Sequence, residues 1–143
     1  YGPLAGIWLD GAAVPRSGDS SRFHLQALYD RIHKLQPQAL VSYKWGITGT
    51  EDFLAPERTQ VKFIKDRPGK PVEICFPLNP GWGYVQGEAH LNIDQVMEIY
   101  AEIRRFGANM LLNVGPLGDG SLHPDDVRTL REWGRRNVAR GAA

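Results

Sequence analysis

With 143 residues, 42% of them hydrophobic and 23% charged, the chain can build one domain with a core but falls short of the ~250 residues of a complete (β/α)8 barrel. A net charge of +1 points to neither nucleic acid nor a membrane surface as partner, and no apolar run approaches the ~20 residues of a membrane span. One cysteine, Cys75, excludes an intrachain disulfide and a four-cysteine metal site. No signal peptide stands out, and a chain opening on Tyr1 rather than Met leaves localisation open.

The segment Gly6-Ile7-Trp8-Leu9-Asp10-Gly11 reads as a buried strand that delivers one carboxylate to its own C-terminal end. In α/β folds chemistry is placed at those ends. Ser20 or Ser21 is expected to cap a helix with apolar positions Leu25, Leu28, Ile32 and Leu35, which Pro37 ends. A second strand, Ala39–Trp45, carries Lys44 and Trp45 into a Gly- and Thr-rich loop, 46–56, that contains Glu51 and Asp52. Thr59–Asp66 is a candidate short helix. Val72–Phe76 is the third strand, and Cys75 within it reads as a buried structural thiol rather than a nucleophile. A loop from Pro77 to Leu91 brings Trp82 and Tyr84. Asn92 and Gln95 form a capping-box start for a helix with Ile93, Val96, Met97, Tyr100 and Ile103 on its apolar face, and Gly107 suits its left-handed stop. The fourth strand, Met110–Gly115, is followed by a last helix. Pro124 sits at its first position, with Asp125 and Asp126 in the dipole-favoured first turn. Val127, Leu130 and Val138 supply part of its apolar side, and the basic cluster from Arg131 to Arg140 reads as its solvated face.

Four strands in this order predict an α/β fold of about four parallel β/α units, a half-barrel, in a single domain spanning residues 1–143. Asp10 is the first candidate for chemistry, as nucleophile or general base. A retaining glycosidase needs a second carboxyl group about 5–5.5 Å away. Glu51, Asp52, Glu57 and Glu73 are all available, and spacing does not choose among them. Trp45, Trp82 and Tyr84 lie in the strand-end loops, where exposed rings suit the C–H faces of sugars; packing against the core is the competing use. Lys44 can donate to a sugar hydroxyl, pair with a carboxylate, or snorkel at the surface. His24, His33, His90 and His123 lack metal-ligand spacing, and Gly118-x-Gly120 opens no phosphate-binding fingerprint. Neither a metal nor another cofactor is expected.

Several segments, taken in order, resemble the retaining α-L-fucosidases, family twenty-nine of the glycoside hydrolases. They are Ile7-Trp8-Leu9-Asp10-Gly11, Leu28-Tyr29-Asp30-Arg31-Ile32-His33-Lys34-Leu35-Gln36-Pro37, Thr50 to Arg58, Val72-Glu73-Ile74-Cys75, Gly81-Trp82-Gly83-Tyr84, and Asn109 to Pro116 continuing to Asp119-Gly120. The resemblance implies Asp10 as the nucleophile and, through Ala55-Pro56-Glu57, Glu57 as the acid/base, with Glu51, Asp52 and Glu73 behind it. It implies Lys44, Trp45 and Trp82 as substrate contacts, with Lys44 standing where the family often has an arginine and losing that residue's bidentate fork. The substrate implied is a fucosylated glycan or glycoside.

What the resemblance covers is the second part of the family's barrel, roughly strands four to seven. The earlier strands, which bring paired histidines and a tryptophan to the fucose pocket, have no counterpart in these residues. A non-catalytic half-barrel that at most binds sugar is therefore the alternative reading, and a glycosidase for another sugar is a third. A half-barrel also leaves strand edges and an apolar inner face uncovered, which predicts self-association, simplest as a two-fold dimer that completes the barrel.

Overall fold

A computed structural model describes residues 2–11, 13–58 and 69–141. The chain forms two compact units, Tyr1–Ile74 and Cys75–Ala143.

In the first unit, β1 (Gly6–Leu9) pairs in parallel with β2 (Leu40–Tyr43), in the register Gly6↔Leu40, Ile7↔Val41, Trp8↔Ser42 and Leu9↔Tyr43. Gly6 has a steric reason: a Cβ there would lie 2.7 Å from the Leu40 carbonyl oxygen. Between the two strands come a short helix, α1 (Ala13–Arg16), a 3-10 turn at Ser20–Phe23, and α2 (Leu25–Leu35). Period-2 alternation sends Leu9, Val41 and Tyr43 toward α2, where Leu25, Tyr29 and Ile32 complete the core. Leu25, Tyr29 and Ile32 are spaced i, i+4, i+7 and form one stripe; Leu28 and Leu35 flank it and stay exposed. The expected apolar face of this helix is thus narrower than its leucines suggest.

The helix start also differs from expectation. Neither Ser20 nor Ser21 caps α2. Asp19 instead caps the 3-10 turn, accepting from the Ser21 N–H at 3.0 Å. The chain then reverses at His24, whose left-handed backbone (φ 48°) opens α2 without a side-chain cap. Asp19 wins because its carboxylate captures the serine's hydroxyl and N–H together.

The loop after β2 is more ordered than a plain connection. Asp52 donates its N–H to Val41 O and Ala55 donates to Lys44 O, so residues 52–55 run along β2. On the other side Leu54 makes a parallel bridge to Val72 at the entry to β3 (Glu73–Pro77). The segment therefore lies between β2 and the start of β3, which are not direct neighbours. The expected helix at Thr59–Asp66 lies outside the described residues.

β3, of which Cys75–Pro77 belong to the second unit, pairs with β4 (Asn109–Asn113), and α3 (Ile93–Arg105) connects them. Both halves of the Asn92/Gln95 capping box are present, and Gly107 adopts the left-handed φ of 72° at the stop. α4 (Pro124–Gly141) packs on α3, with Tyr100 and Trp133 edge to face at 4.7 Å. Cys75 is buried, as expected for a thiol inside a strand. Among the described residues no helix is long and apolar enough to cross a membrane, and no group of three or more His, Cys, Asp or Glu side chains is arranged to hold a metal ion.

Candidate active site

Alternation along β1 and β2 puts Trp8 and Ser42 on the face opposite α2, and continuing it one step past each strand adds Asp10 and Lys44. This is the face on which the charged groups meet. Lys44 Nζ lies 2.9 Å from Asp10 Oδ1 and is hydrogen-bonded to Glu57 Oε1. It also sits 4.4 Å from the centroid of the Trp8 ring, at cation–π distance.

The lysine is not at the surface. Its side chain is 5% exposed, against 21% for Glu57 and 68% for Asp10. Burial alone would push the ammonium pKa down, but the hydrogen bonds to Glu57 and Asp10 outweigh it and hold Lys44 above its ordinary value. Asp10 moves the other way. The Lys44 hydrogen bond, and then the N–H of Gly11, hold its carboxyl below the usual aspartate range. Both of these donors converge on Oδ1, so Oδ2 has no hydrogen-bond partner among the described residues.

Backbone geometry makes the convergence possible. Lys44 has a φ of 49°, a left-handed conformation for a long side chain, and Gly11 has 75°. A non-glycine residue held there costs on the order of 1–2 kcal/mol, and such strain concentrates where function fixes a side chain.

The other expected carboxylates are engaged elsewhere. Glu51 is 1% exposed and accepts from the Tyr29 hydroxyl and from the N–H groups of Ile47, Thr48 and Gly49. Burial would raise its pKa, yet the N–H donors of Ile47 and Thr48 more than offset this and lower it. Tyr29 is correspondingly pushed up, first by burial and then by Glu51. Asp52 Oδ2 accepts from the Val41 N–H at 2.7 Å and lies 3.1 Å from His33. Glu73 opens β3, its N–H bonded to Leu54 O, and makes no ion pair among the described residues. Trp45 packs against the Leu25–Tyr29–Val41–Tyr43 cluster, which occupies part of its ring.

Trp82 and Tyr84 belong to the second unit and are exposed. Their loop is braced: Asn79 donates to Gly83 O and to Glu88, and Asn113 donates to Trp82 O at 2.9 Å. Glycine at 115 is obligatory there, since a Cβ would lie 2.5 Å from the carbonyl carbon of Gly83.

Two features escaped the sequence reading. Trp8 joins Lys44, a contact signalled by its position two residues before Asp10 in a period-2 strand. Asp126, expected as a helix-dipole residue, is instead fully buried with Oδ1 2.7 Å from His90 Nδ1, and His90 stacks on His123 at 4.1 Å. Sequence carries no signal for that pairing, because 36 residues separate the partners.

The comparisons with known proteins decide the family. A family model described as alpha-L-fucosidase matches residues 1–137. The chain belongs to the alpha-L-fucosidase family. A solved α-L-fucosidase isoenzyme 1 from Paenibacillus thiaminolyticus superposes with a TM-score of 0.79 and 27% identity, covering 99% of this chain and 36% of that one. The fold also matches α-L-fucosidase AlfC from Lactobacillus casei in complex with α-L-fucose product, with a TM-score of 0.74, 23% identity, and coverage of 97% and 41%. Alpha-L-fucosidase 1 of Arabidopsis thaliana is 26% identical over 93% of this chain and 31% of its own length. This member of the fucosidase family therefore spans about a third of the relatives it matches.

Proposed function

We propose that this chain carries the catalytic carboxylates of an exo-acting α-L-fucosidase that works by double displacement with retention, acting on fucosylated glycans or glycosides. The observation that carries the reading is the single buried ammonium shared by Asp10 and Glu57. Two oxygens held by one nitrogen at hydrogen-bond distance lie within roughly 6 Å of each other. A separation of that order is compatible with the ~5–5.5 Å between the two carboxyl groups of retaining enzymes.

Asp10 Oδ2, the oxygen not occupied by Lys44 and Gly11, attacks the anomeric carbon. Glu57, protonated at that stage, gives its proton to the departing glycosidic oxygen. Asp10 is then an ester and Glu57 a carboxylate, which takes a proton from the water that releases fucose. The negative charge of the pair thus moves from Asp10 to Glu57 between the two half-reactions. Lys44 touches both, so one fixed cation stabilises whichever carboxylate is charged, with no rearrangement at the moment of reaction. Trp45 and Trp82 are assigned to substrate contact. No cofactor enters the scheme.

The supporting fold is a partial barrel of β/α units, with Trp8 and Leu40 exposed on the face opposite α2. Large apolar side chains are worth about 1.5–3 kcal/mol each when buried. Covering that face favours self-association, read by light scattering; a fully active monomer of 16 kDa would refute the association.

Hydrolysis of a panel of aryl glycosides by the full chain tests the activity. Turnover of the aryl α-L-fucoside, with nearly all of it lost in Asp10→Ala, is expected. Hydrolysis of a different aryl glycoside in preference would replace the sugar assignment, and binding without turnover would favour a non-catalytic half-barrel.

A further inference from the structure

Lys44 brings three N–H donors to the candidate site. One is bonded to Glu57, and Asp10 Oδ1 lies 2.9 Å from the same nitrogen. No third hydrogen-bond acceptor reaches Lys44 Nζ among the described residues. Only 5% of the side chain is exposed, so water does little for the remaining donor, and an ammonium N–H buried without a partner is costly. The group that stands beside it is an indole: Nζ lies 4.4 Å from the centroid of the Trp8 ring. The electron-rich face of tryptophan attracts a cation, more strongly where water is excluded.

The backbone brings the two side chains together. Trp8 is paired with Ser42 across β1 and β2, so it shares a face with Ser42 and, two residues on, with Lys44. Trp8 also stands two residues before Asp10, and one short strand delivers both the ring and the carboxylate. Enclosed in this way, the lysine has no donor left for a sugar hydroxyl.

We infer that Trp8 is a positioning residue: its ring takes the third donor direction of Lys44 and locks the ammonium as an internal counter-ion between Asp10 and Glu57, so that Lys44 acts on a substrate only through the two carboxylates. An aliphatic side chain at this position would exclude water equally well but offer the cation no negative face. Without the ring the ammonium turns toward solvent, its bond to Asp10 loosens, and the aspartate gains less from being ionised. The consequence for turnover rests on the fucosidase reading; the ring contact and its effect on Asp10 do not.

Two NMR measurements on the full chain test this without turnover. In the native sequence the protons on Lys44 Cε and Nζ lie over an aromatic face and should resonate upfield of ordinary lysine positions; ordinary shifts would overturn the contact. Trp8→Leu should raise the titration midpoint of the Asp10 carboxyl by roughly half a pH unit, the equivalent of one cation–π contact. Trp8→Phe keeps an aromatic face of weaker attraction and should restore part of the difference. A purely structural role would lower the melting temperature of both variants and leave the Asp10 midpoint unmoved, which would also overturn the assignment. With an aryl α-L-fucoside as substrate, the acid limb of kcat/KM should move up in Trp8→Leu together with the Asp10 midpoint. A shifted midpoint without hydrolysis by any of these chains would sink the fucosidase reading and leave Trp8 its place, whereas hydrolysis with an unmoved midpoint would do the reverse.

Discussion

Replacing Glu51 separates a structural carboxylate from a catalytic one. Glu51 sits in the loop that leaves Lys44 and Trp45, is 1% exposed, and accepts from the Tyr29 hydroxyl and three successive backbone N–H groups. Glu51→Gln preserves the shape but replaces charge-assisted bonds by neutral ones and turns one acceptor oxygen into a donor that faces N–H groups. Hydrogen bonds to charged groups contribute about 1.5–3 kcal/mol each and neutral ones about 0.5–1.5. Losing the difference at one or two of the bonds gives roughly 2 kcal/mol. With a urea slope of about 1–3 kcal/mol/M, the unfolding midpoint should fall by about 1 M.

The pH dependence gives a second reading of the same substitution. The folded-state pKa of Glu51 is lowered, so its contribution is fully present above the unfolded value and is lost as pH falls through the folded one. The stability of the native sequence should therefore drop on acidification below about pH 4.5, and Glu51→Gln should remove that part of the drop. An unchanged urea midpoint together with lost turnover would refute the structural role and return Glu51 to the acid/base candidates.

Further expectations concern the shared ammonium and the second unit. In Lys44→Met the Asp10 pKa, followed by carboxyl NMR, should rise toward the ordinary aspartate value, since Lys44 is the first cause of its depression; an unmoved titration would remove Lys44 from the site. Glu57→Ala should slow hydrolysis of poor leaving groups far more than good ones and be partly rescued by azide, whereas unchanged kinetics would move the acid/base role to Glu51, Asp52 or Glu73. Gly115→Ala forces a Cβ against the Gly83–Tyr84 backbone and should destabilise the chain by about 1–3 kcal/mol, measured by thermal melting; a neutral result would mean that the aromatic loop gives way freely.

Local patterning in the sequence determined most of the elements. The capping box at Asn92, the stop at Gly107, the proline that opens α4 and the four apolar runs act over a few residues, so their spacing suffices. The presentation of Asp10 was legible for the same reason, because a carboxylate before a glycine at a strand end is a local signal. What the tertiary structure decided involves partners far apart in the chain. Glu51, Asp52 and Glu57 share one acidic loop, and only the folded backbone turns Glu51 toward Tyr29, Asp52 toward His33, and Glu57 toward Lys44. Lys44, a long cationic side chain whose burial its sequence leaves ambiguous, is buried, and its backbone takes a left-handed φ that no neighbouring residue announces. Asp126 and His90 likewise pair across separate elements. Periodicity tells which face a residue occupies; which carboxylate shares that face with a cation depends on how distant segments cross.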